Sequence, residues 1–163
     1  MAKKIKSKLD RRDVIKQLLA PRGDTLVVTG LGSSCYDAGT VDHALNYYLW
    51  GGMGGAAMIG LGLAIAQPKR RVLVITGDGE MLMGLGSLAT IGAEKIRNLS
   101  IIVLDNELYS ETGMQPTHTS RGVNLAGIAS AAGFAATDTV TSLPALKTWI
   151  PKLYNTPGPL FLD

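Results

Sequence analysis

A lone carboxylate stands between two glycines where an apolar run ends, in the stretch VLVITGDGEML that begins at Val72. The β-branched run predicts a buried strand, and Asp78 follows it at the turn into a helix-like pattern. A second run, LSIIVLDN, ends at Asn106, 28 residues after Asp78. Carboxylate and amide oxygens are the ligands that hard cations such as Mg²⁺ or Ca²⁺ prefer. The two residues are therefore candidate cation ligands.

The two strands of a right-handed βαβ unit end at the same edge of a sheet, so Asp78 and Asn106 are expected to be neighbours. With a backbone carbonyl just beyond Asn106, they supply three ligands and one negative charge. Mg²⁺ is usually completed by waters and substrate phosphates. Gly77 and Gly79 leave backbone N–H groups open to such a phosphate. The pattern predicts a metal–diphosphate clamp at the carboxyl edge of an α/β sheet.

Two other interpretations of these residues stay open. One is a plain strand-to-helix turn, with Asp78 near a helix N-cap and Asn106 in an unrelated turn. The other is a dinucleotide fold, because Gly52, Gly54 and Ala57 satisfy G-x-G-x-x-A and Asp78 ends the next strand. Against it, NYYLW is a poor buried first strand. No G-x-x-x-x-G-K-[ST] nucleotide-triphosphate loop is present.

Strand patterns alternate with helix patterns along the chain, which predicts an α/β fold with a mainly parallel sheet between two helical layers. A basic segment and first helix, capped by Asp10, occupy 1–23, and one domain occupies 24–163. Its last strand, PLFLD, stops at Asp163 and looks clipped, with a natural end as the alternative. Predicted strands are 24–30, 46–50, 70–76, 99–106, 135–139 and 159–163, and predicted helices are 36–46, 56–66, 80–96, 125–133 and 142–153, with 31–34 as a turn.

The formal charge of +3 is a local property of the amino terminus. Residues 1–16 hold seven basic and two acidic side chains, so the remainder of the chain is weakly acidic. A solvated terminus explains this better than a nucleic-acid surface, which needs basic residues and aromatic platforms on a folded face. Cys35 is the single cysteine, which fits a reducing cytoplasm and excludes a four-cysteine cluster. The apolar run 56–66 is too short to span a bilayer.

Three stretches resemble the cofactor half of the thiamine diphosphate enzymes: WGGMGGAAMIGLGLA, GDGEML and LDNELYSETGMQPT, in that order. That family's signature is Gly-Asp-Gly, a gap in the mid-twenties, and Asn, and 26 residues separate Gly79 from Asn106 here. Within the family, NYYLWGGMGGA and ELYSETGMQPTHTS are similar to the decarboxylases of sulfopyruvate and phosphonopyruvate. The resemblance implies a PP-type domain, the β subunit of a thiamine diphosphate- and Mg²⁺-dependent 2-oxo acid decarboxylase.

The resemblance also implies roles for individual residues. Asp78, the Asn106 side chain and the Leu108 carbonyl would hold Mg²⁺. The Met53 side chain would lie beneath the cofactor and bend it. The backbone N–H of Met53 and the carbonyl of Gly51 would hydrogen-bond the aminopyrimidine. Backbone N–H groups after the first and third strands would meet the diphosphate. The complete cofactor-binding set is Gly32, Ser33, Ser34, Gly51, Met53, Gly77, Asp78, Gly79, Glu80 and Asn106.

Candidate catalytic residues follow the metal ligands along the chain. Thr112 and His118 lie where the family places residues around the substrate, as do Gln115 and Thr117. An imidazole exchanges protons near neutrality, so His118 is the candidate proton donor after CO₂ departs, with a surface-loop role as the alternative. Three further predictions concern Glu111 as a rival acid–base group, Arg121 as a partner for a sulfonate or phosphonate, and His43 as a structural residue.

In this family, a glutamate on a second α/β domain activates the cofactor, and nothing before Asp24 could be that domain. The resemblance therefore implies half of an active site, completed by a separate PYR (α) subunit within a higher oligomer. A small 2-oxo acid is the expected substrate, with no nucleic acid or membrane partner. The alternatives are an acetolactate synthase-like carboligase, a 2-oxo acid:ferredoxin oxidoreductase β chain, a dinucleotide-binding oxidoreductase and a non-catalytic cofactor-binding module.

Overall fold

The computed structural model describes residues 9–163. Over this range the chain alternates strands with helices, as the sequence predicts. The strands are β1 Leu26–Thr29, β2 Asn46–Tyr48, β3 Val72–Gly77, β4 Leu99–Leu104, β5 Leu108–Tyr109, β6 Gln115–Pro116, β7 Ala136–Asp138 and β8 Leu160–Leu162. The helices are α1 Arg11–Leu19, α2 Ser33–Gly39, α3 Ala56–Ala66, α4 Asp78–Met83, α5 Gly86–Glu94, α6 Leu125–Ala131 and α7 Leu143–Asn155, with a 3-10 turn at Thr119–Arg121.

Six of the strands form one sheet in the order β2-β1-β3-β4-β8-β7. Every neighbouring pair in it is parallel, which confirms the predicted α/β class. The central strands β1, β3 and β4 are apolar because both faces of the sheet are covered. β5 and β6 form a separate antiparallel hairpin that the sequence pattern did not reveal.

Helices cover the sheet in two layers. On one face, α1, α2 and α7 bury Ile15, Leu18, Ala38 and Trp149 against β3 and its neighbours. On the other, α3, α4, α5 and α6 form the second apolar cluster. α1 begins at its predicted cap, because Asp10 Oδ1 accepts the Arg12 N–H at 2.8 Å. The basic residues Lys3, Lys4, Lys6 and Lys8 lie outside the described residues, and the boundary between 1–23 and 24–163 stays a prediction.

The helix predicted at 36–46 was wrong in both bounds. The structure has α2 at Ser33–Gly39, so Ser33 and Ser34 belong to a helix and not to a turn. Gly32 adopts φ +79°, which reverses the chain within one residue and lets the helix start directly after it. At the other end, Thr40 Oγ1 caps the Asp37 carbonyl at 2.7 Å, and the helix stops at Gly39.

The single helix predicted at 80–96 is also wrong, because the structure breaks it into α4 and α5. The break lies at Gly84, whose backbone contacts the carbonyl of Gly54, and a side chain on Gly84 would overlap that oxygen. The close approach fixes the turn before α3 against the end of α4. Within residues 9–163, no helix is both long and apolar enough to cross a membrane.

Two glycines of α3 give opposite predictions for the same substitution. A methyl group on Gly60 would overlap the Val74 side chain on β3, whereas one on Gly62 would enter open space. We expect Gly60→Ala to lower the free energy of unfolding by about 1–3 kcal/mol through overpacking. Gly62→Ala should raise it by about 0.5–1 kcal/mol, because alanine loses less backbone entropy in a helix. Urea unfolding measures both, and equal effects of the two changes would contradict this packing.

Candidate functional site

The candidate site lies where the sheet's chain order reverses. From β1 the chain moves outward to β2, then returns through α3 to β3 on the other side of β1. The loops after β1 and β3 therefore diverge at their carboxyl ends, and open α/β sheets bind ligands in that crevice. The turn after β4 borders the same edge, because Gly77 on β3 pairs with Leu104 on β4.

Asp78, the first residue of α4, is only 2% exposed. Its Oδ2 accepts the Thr117 hydroxyl at 2.7 Å and lies 3.4 Å from Thr119 Oγ1. Burial raises the pKa of Asp78, the Thr117 hydrogen bond opposes this, and the nearby Asp105 charge raises the pKa further. A desolvated carboxylate beside another acid has a strong electrostatic demand for a cation. The backbone N–H of Asn106 is close enough to lower the pKa of Asp78, so the two predicted ligands are neighbours.

Asn106 lies in a tight turn between β4 and β5. Its Oδ1 accepts the Leu108 N–H at 3.0 Å and its Nδ2 donates to Ser110 Oγ at 2.8 Å, so the amide oxygen faces the backbone that carries the Leu108 carbonyl. Glu107 adopts φ +63° between them. Within residues 9–163, no group of three His, Cys, Asp or Glu side chains could hold a metal. The other ligands available to an ion beside Asp78 are thus amide and carbonyl oxygens. Together with a carboxylate, they form a set that suits Mg²⁺.

Two threonines that hold the acids were not recognised from sequence in this role. Thr117, predicted near the substrate, is instead buried, and its hydroxyl lies 2.8 Å from that of Thr119. Thr119 Oγ1 is in turn 2.9 Å from Asp105 Oδ1. The hairpin β5–β6 returns Thr117 to Asp78 across 39 positions of sequence. A long-range contact of this kind has no local sequence signal.

The side chain of Glu80, on α4, connects two other segments of the site. It is 4% exposed, and its Oε2 accepts the Leu31 N–H at 2.8 Å while Oε1 accepts the Ala56 N–H at 3.3 Å. These N–H groups belong to the turn after β1 and to the start of α3. Gly30 has no room for a side chain, because the Glu80 carboxylate fills that space. The sequence prediction assigned only the backbone of Glu80, so this bridge is an additional feature.

The turn predicted to close over the diphosphate is compact. Ser34 is buried and its hydroxyl donates to the Gly30 carbonyl at 3.0 Å, while Ser33 begins α2. Glu111 lies directly over Gly32, where any side chain would overlap its carboxylate. Glu111 thus lies at the turn that was predicted to close over the diphosphate.

Met53 and Gly79 lie together on the other side of Asp78. A methyl group on Gly79 would lie 2.6 Å from the Tyr109 ring and 3.6 Å from Met53 Cε. Gly79 therefore packs under two large side chains, and the predicted wedge Met53 is in the crevice next to the Gly-Asp-Gly turn. Gly51 is exposed and has open space around it.

The substrate-side candidates are more exposed. Thr112 Oγ1 donates to Gln115 Oε1 at 2.8 Å, which closes the tip of the hairpin. His118 lines a cavity of about 410 Å³ with apolar neighbours that include Leu82 and Tyr109. Arg121 is exposed in the 3-10 turn. His43 is exposed, and its Nδ1 accepts the Leu45 N–H at 3.1 Å, so its structural role stays a prediction.

A parallel sheet with glycine-bordered turns and a buried carboxylate at its switch point defines an α/β domain of the cofactor-binding type. The family model "Thiamine pyrophosphate enzyme, C-terminal TPP binding domain" matches residues 28–163. The chain therefore belongs to the thiamine pyrophosphate (thiamine diphosphate) enzymes, as their C-terminal cofactor-binding domain.

Within this family, the chain is similar to two named decarboxylases. It is 40% identical over 134 residues to the sulfopyruvate decarboxylase subunit beta of Methanocaldococcus jannaschii, covering 81% of this chain and 69% of that protein. It is 43% identical over 148 residues to the phosphonopyruvate decarboxylase of Streptomyces viridochromogenes, covering 89% of this chain and 36% of that protein. The chain thus spans about two thirds of one relative and about one third of the other.

Solved structures confirm the fold. A thiamin diphosphate-dependent enzyme from Mycobacterium smegmatis superposes with a TM-score of 0.80 at 23% identity, over 96% of this chain and 31% of that one. At this identity the likeness concerns the fold alone.

Asp163, directly after β8, adds a third acid to this edge of the sheet. Burial, followed by the charges of Asp105 and Asp78, raises the pKa of Asp163 to about 7, and its Oδ1 is buried without a hydrogen-bond partner in the described structure. Two acids whose ionisation is penalised in the fold, Asp78 and Asp163, fit a position next to a bound cation.

Asp163→Asn should change the pH dependence of stability in metal-free buffer. Because the pKa of Asp163 is raised in the folded state, its stabilising effect is present below the unfolded pKa of about 4 and is lost as pH rises through about 7. We expect the urea midpoint of the wild type to fall more between pH 5 and 8 than that of the variant. Parallel profiles would contradict this, and exposed Asp42→Asn is the control.

Glu80→Gln should weaken the hydrogen bonds that hold the turn after β1 and the start of α3 against α4. A glutamine presents one oxygen and one N–H group, so one of the two backbone donors loses its acceptor. We expect the free energy of unfolding to fall by about 1.5–3 kcal/mol, as for hydrogen bonds to a charged group. Urea unfolding measures this. The matched control is Glu94→Gln on the exposed end of α5, and an equally small change in both variants would contradict the bridge.

Proposed function

We propose that the chain is the cofactor-binding subunit of a thiamine diphosphate- and Mg²⁺-dependent decarboxylase of a small 2-oxo acid. The observation that carries the proposal is the buried carboxylate of Asp78 next to the Asn106 turn, at the edge where β3 and β4 end. Relatives about 40% identical over most of the chain are named sulfopyruvate and phosphonopyruvate decarboxylases. These names support a 2-oxo acid with a second acidic group as the substrate.

The described residues fit this cofactor. Asp78, Asn106 and the Leu108 carbonyl are the proposed Mg²⁺ ligands, and Thr117 orients Asp78. The diphosphate is assigned to the backbone around Gly79, Glu80 and the Gly32-Ser33-Ser34 turn, and the ring system to the side of Met53 and Gly51. When bound, thiamine diphosphate supplies the electron sink that accepts the electron pair released as CO₂ leaves.

The protein's contribution is to bind, orient and exchange a proton. Glu80 fixes the turn after β1 against the start of α3, so the walls of the crevice keep their spacing. His118 and Thr112 are the proposed substrate-side residues. His118 is exposed beside an apolar cavity, a position from which an imidazole can deliver a proton to the product.

The proposed active site needs a second subunit. Relatives matched over about two thirds of their length are named beta subunits, which implies a separate alpha subunit. That PYR subunit is proposed to carry the activating glutamate, within a higher oligomer in the cytoplasm.

The alternatives have less support. Ligation by an acetolactate synthase-like route shares the cofactor site, and one relative of 28% identity carries that name. A 2-oxoglutarate:ferredoxin oxidoreductase superposes with a TM-score of 0.74 at 17% identity, which bears on the fold alone. A dinucleotide function would place a ribose on Asp78, but the family model that matches residues 28–163 is a thiamine pyrophosphate-binding domain. A non-catalytic module would bind the cofactor, but no partner chain would restore turnover of a 2-oxo acid.

Asp78→Asn should abolish Mg²⁺-dependent binding of thiamine diphosphate to the purified chain. We expect calorimetry to show a loss of more than about 100-fold in affinity, since removing even an outer partner of a metal ligand typically costs 10–100-fold. Asp42→Asn, an exposed carboxylate, should bind as the wild type does. Unchanged affinity in Asp78→Asn would overturn the clamp, and binding of NADH in place of thiamine diphosphate would overturn the function.

A further inference from the structure

A cationic cavity opens at the edge of the sheet opposite the cofactor site. Its volume is about 490 Å³, and it lies among the segments that lead into β1, β3, β4 and β8. Five basic residues line it, and one acid accompanies them: Arg22, Lys69, Arg70, Arg71, Arg97 and Asp24. Residues 9–163 carry 12 basic and 13 acidic side chains, so this one cavity gathers almost half of the basic ones.

The deepest of these groups is Arg22, which is only 6% exposed. Its guanidinium donates to the side chain of Asn46 and to the Thr25 carbonyl at 3.0 Å, while its Nε is buried with no partner in the described structure. None of these partners is a carboxylate, so the positive charge of Arg22 is not neutralised. Burial lowers the pKa of Arg22, which shows that its charge is penalised there.

Arg71 is a second cation of the cavity that has no carboxylate partner among the described residues. Its Nε donates to the Tyr154 carbonyl at 3.2 Å and its Nη2 to the Thr156 carbonyl at 2.7 Å. Burial lowers its pKa as well. Carbonyl contacts explain how Arg71 ties the end of α7 to β3, but they leave the charge itself uncompensated.

The side chains of the remaining basic residues contribute little to holding the fold together. Lys69 and Arg97 are exposed at the rim, and Arg70 donates one hydrogen bond to the Asp24 carbonyl at 2.7 Å. Asp24 supplies the one carboxylate within ion-pair distance of these five cations in the described structure, and its Oδ2 is 3.8 Å from Arg70 Nε on an exposed side chain. Exposed ion pairs of this kind contribute little. Fold stability does not require so many cations at one place.

We propose that this cavity binds a small polyvalent anion that carries phosphate groups. Guanidinium forks match phosphate oxygens in bidentate geometry, and several cations around one cavity favour a ligand with more than one negative charge. The volume is within the range of small-molecule sites and exceeds what one phosphate fills. The site lies at the amino ends of the strands, so it is distinct from the cofactor crevice and does not rest on the proposed function.

Titration of the full chain with tripolyphosphate tests the proposal. Metal-free buffer and an Asp78→Asn background keep diphosphate binding at the cofactor crevice from contributing. We expect saturable 1:1 binding in calorimetry. Arg70→Gln/Arg97→Gln should weaken binding by about 10-fold or more, or about 1.4 kcal/mol, since two charged donors to the anion are lost.

The matched control is Lys95→Gln/Lys147→Gln, which removes the same charge from exposed positions outside the cavity. It should change the affinity by less than about 2-fold, because exposed charges at a distance are screened by salt. Both double variants alter partly or fully exposed side chains, and unchanged urea midpoints verify that they fold. Absence of saturable binding, or equal weakening in both double variants, would overturn the site. Tighter binding of a hexaglutamate peptide than of tripolyphosphate would also overturn it, in favour of an acidic protein segment.

Discussion

The crevice depends on the buried carboxylate of Glu80, which makes no ion pair within residues 9–163. Glu80 accepts N–H groups from the turn after β1 and from the start of α3, two segments that do not otherwise share a hydrogen-bonded ladder. Because α4 carries Glu80 and begins at Asp78, the same short helix positions the candidate metal ligand and holds the loops around it. A change in either loop is thus transmitted to the Gly-Asp-Gly turn through two hydrogen bonds.

Burying the acids at this edge costs electrostatic free energy, which a bound cation can offset. Asp78 is desolvated, Asp163 has a raised pKa of about 7, and Asp105 adds to both effects. The threonine hydroxyls of Thr117 and Thr119 solvate the carboxylates only in part. The opposite edge gathers five basic side chains. The sheet therefore separates charge between its two edges, and each edge favours a ligand of opposite sign.

Strong periodic elements could be predicted from the sequence, and their adjacency followed from topology. β3 and β4 are uniform apolar runs, so their pairing and the contact between Asp78 and Asn106 follow from the handedness of βαβ units. The helix bounds near Gly32 and Gly84 did not follow, because a positive φ and a backbone contact with Gly54 override the helical pattern. Thr117 and the Glu80 side chain were missed in their observed roles, since both act across more than 20 positions of sequence.

The need for a second subunit also has a structural argument in the described residues. Activation of thiamine diphosphate is proposed to require a glutamate free to reach the aminopyrimidine, on the side of Met53 and Gly51. Glu80 cannot serve, because both of its oxygens accept buried backbone N–H groups. Glu111 lies over Gly32, in the turn to which the diphosphate is assigned in the proposed function. The open space around the exposed Gly51 is instead where another chain can bring such a group. In the proposed function, this domain fixes the cofactor's position and its partner supplies the activating acid.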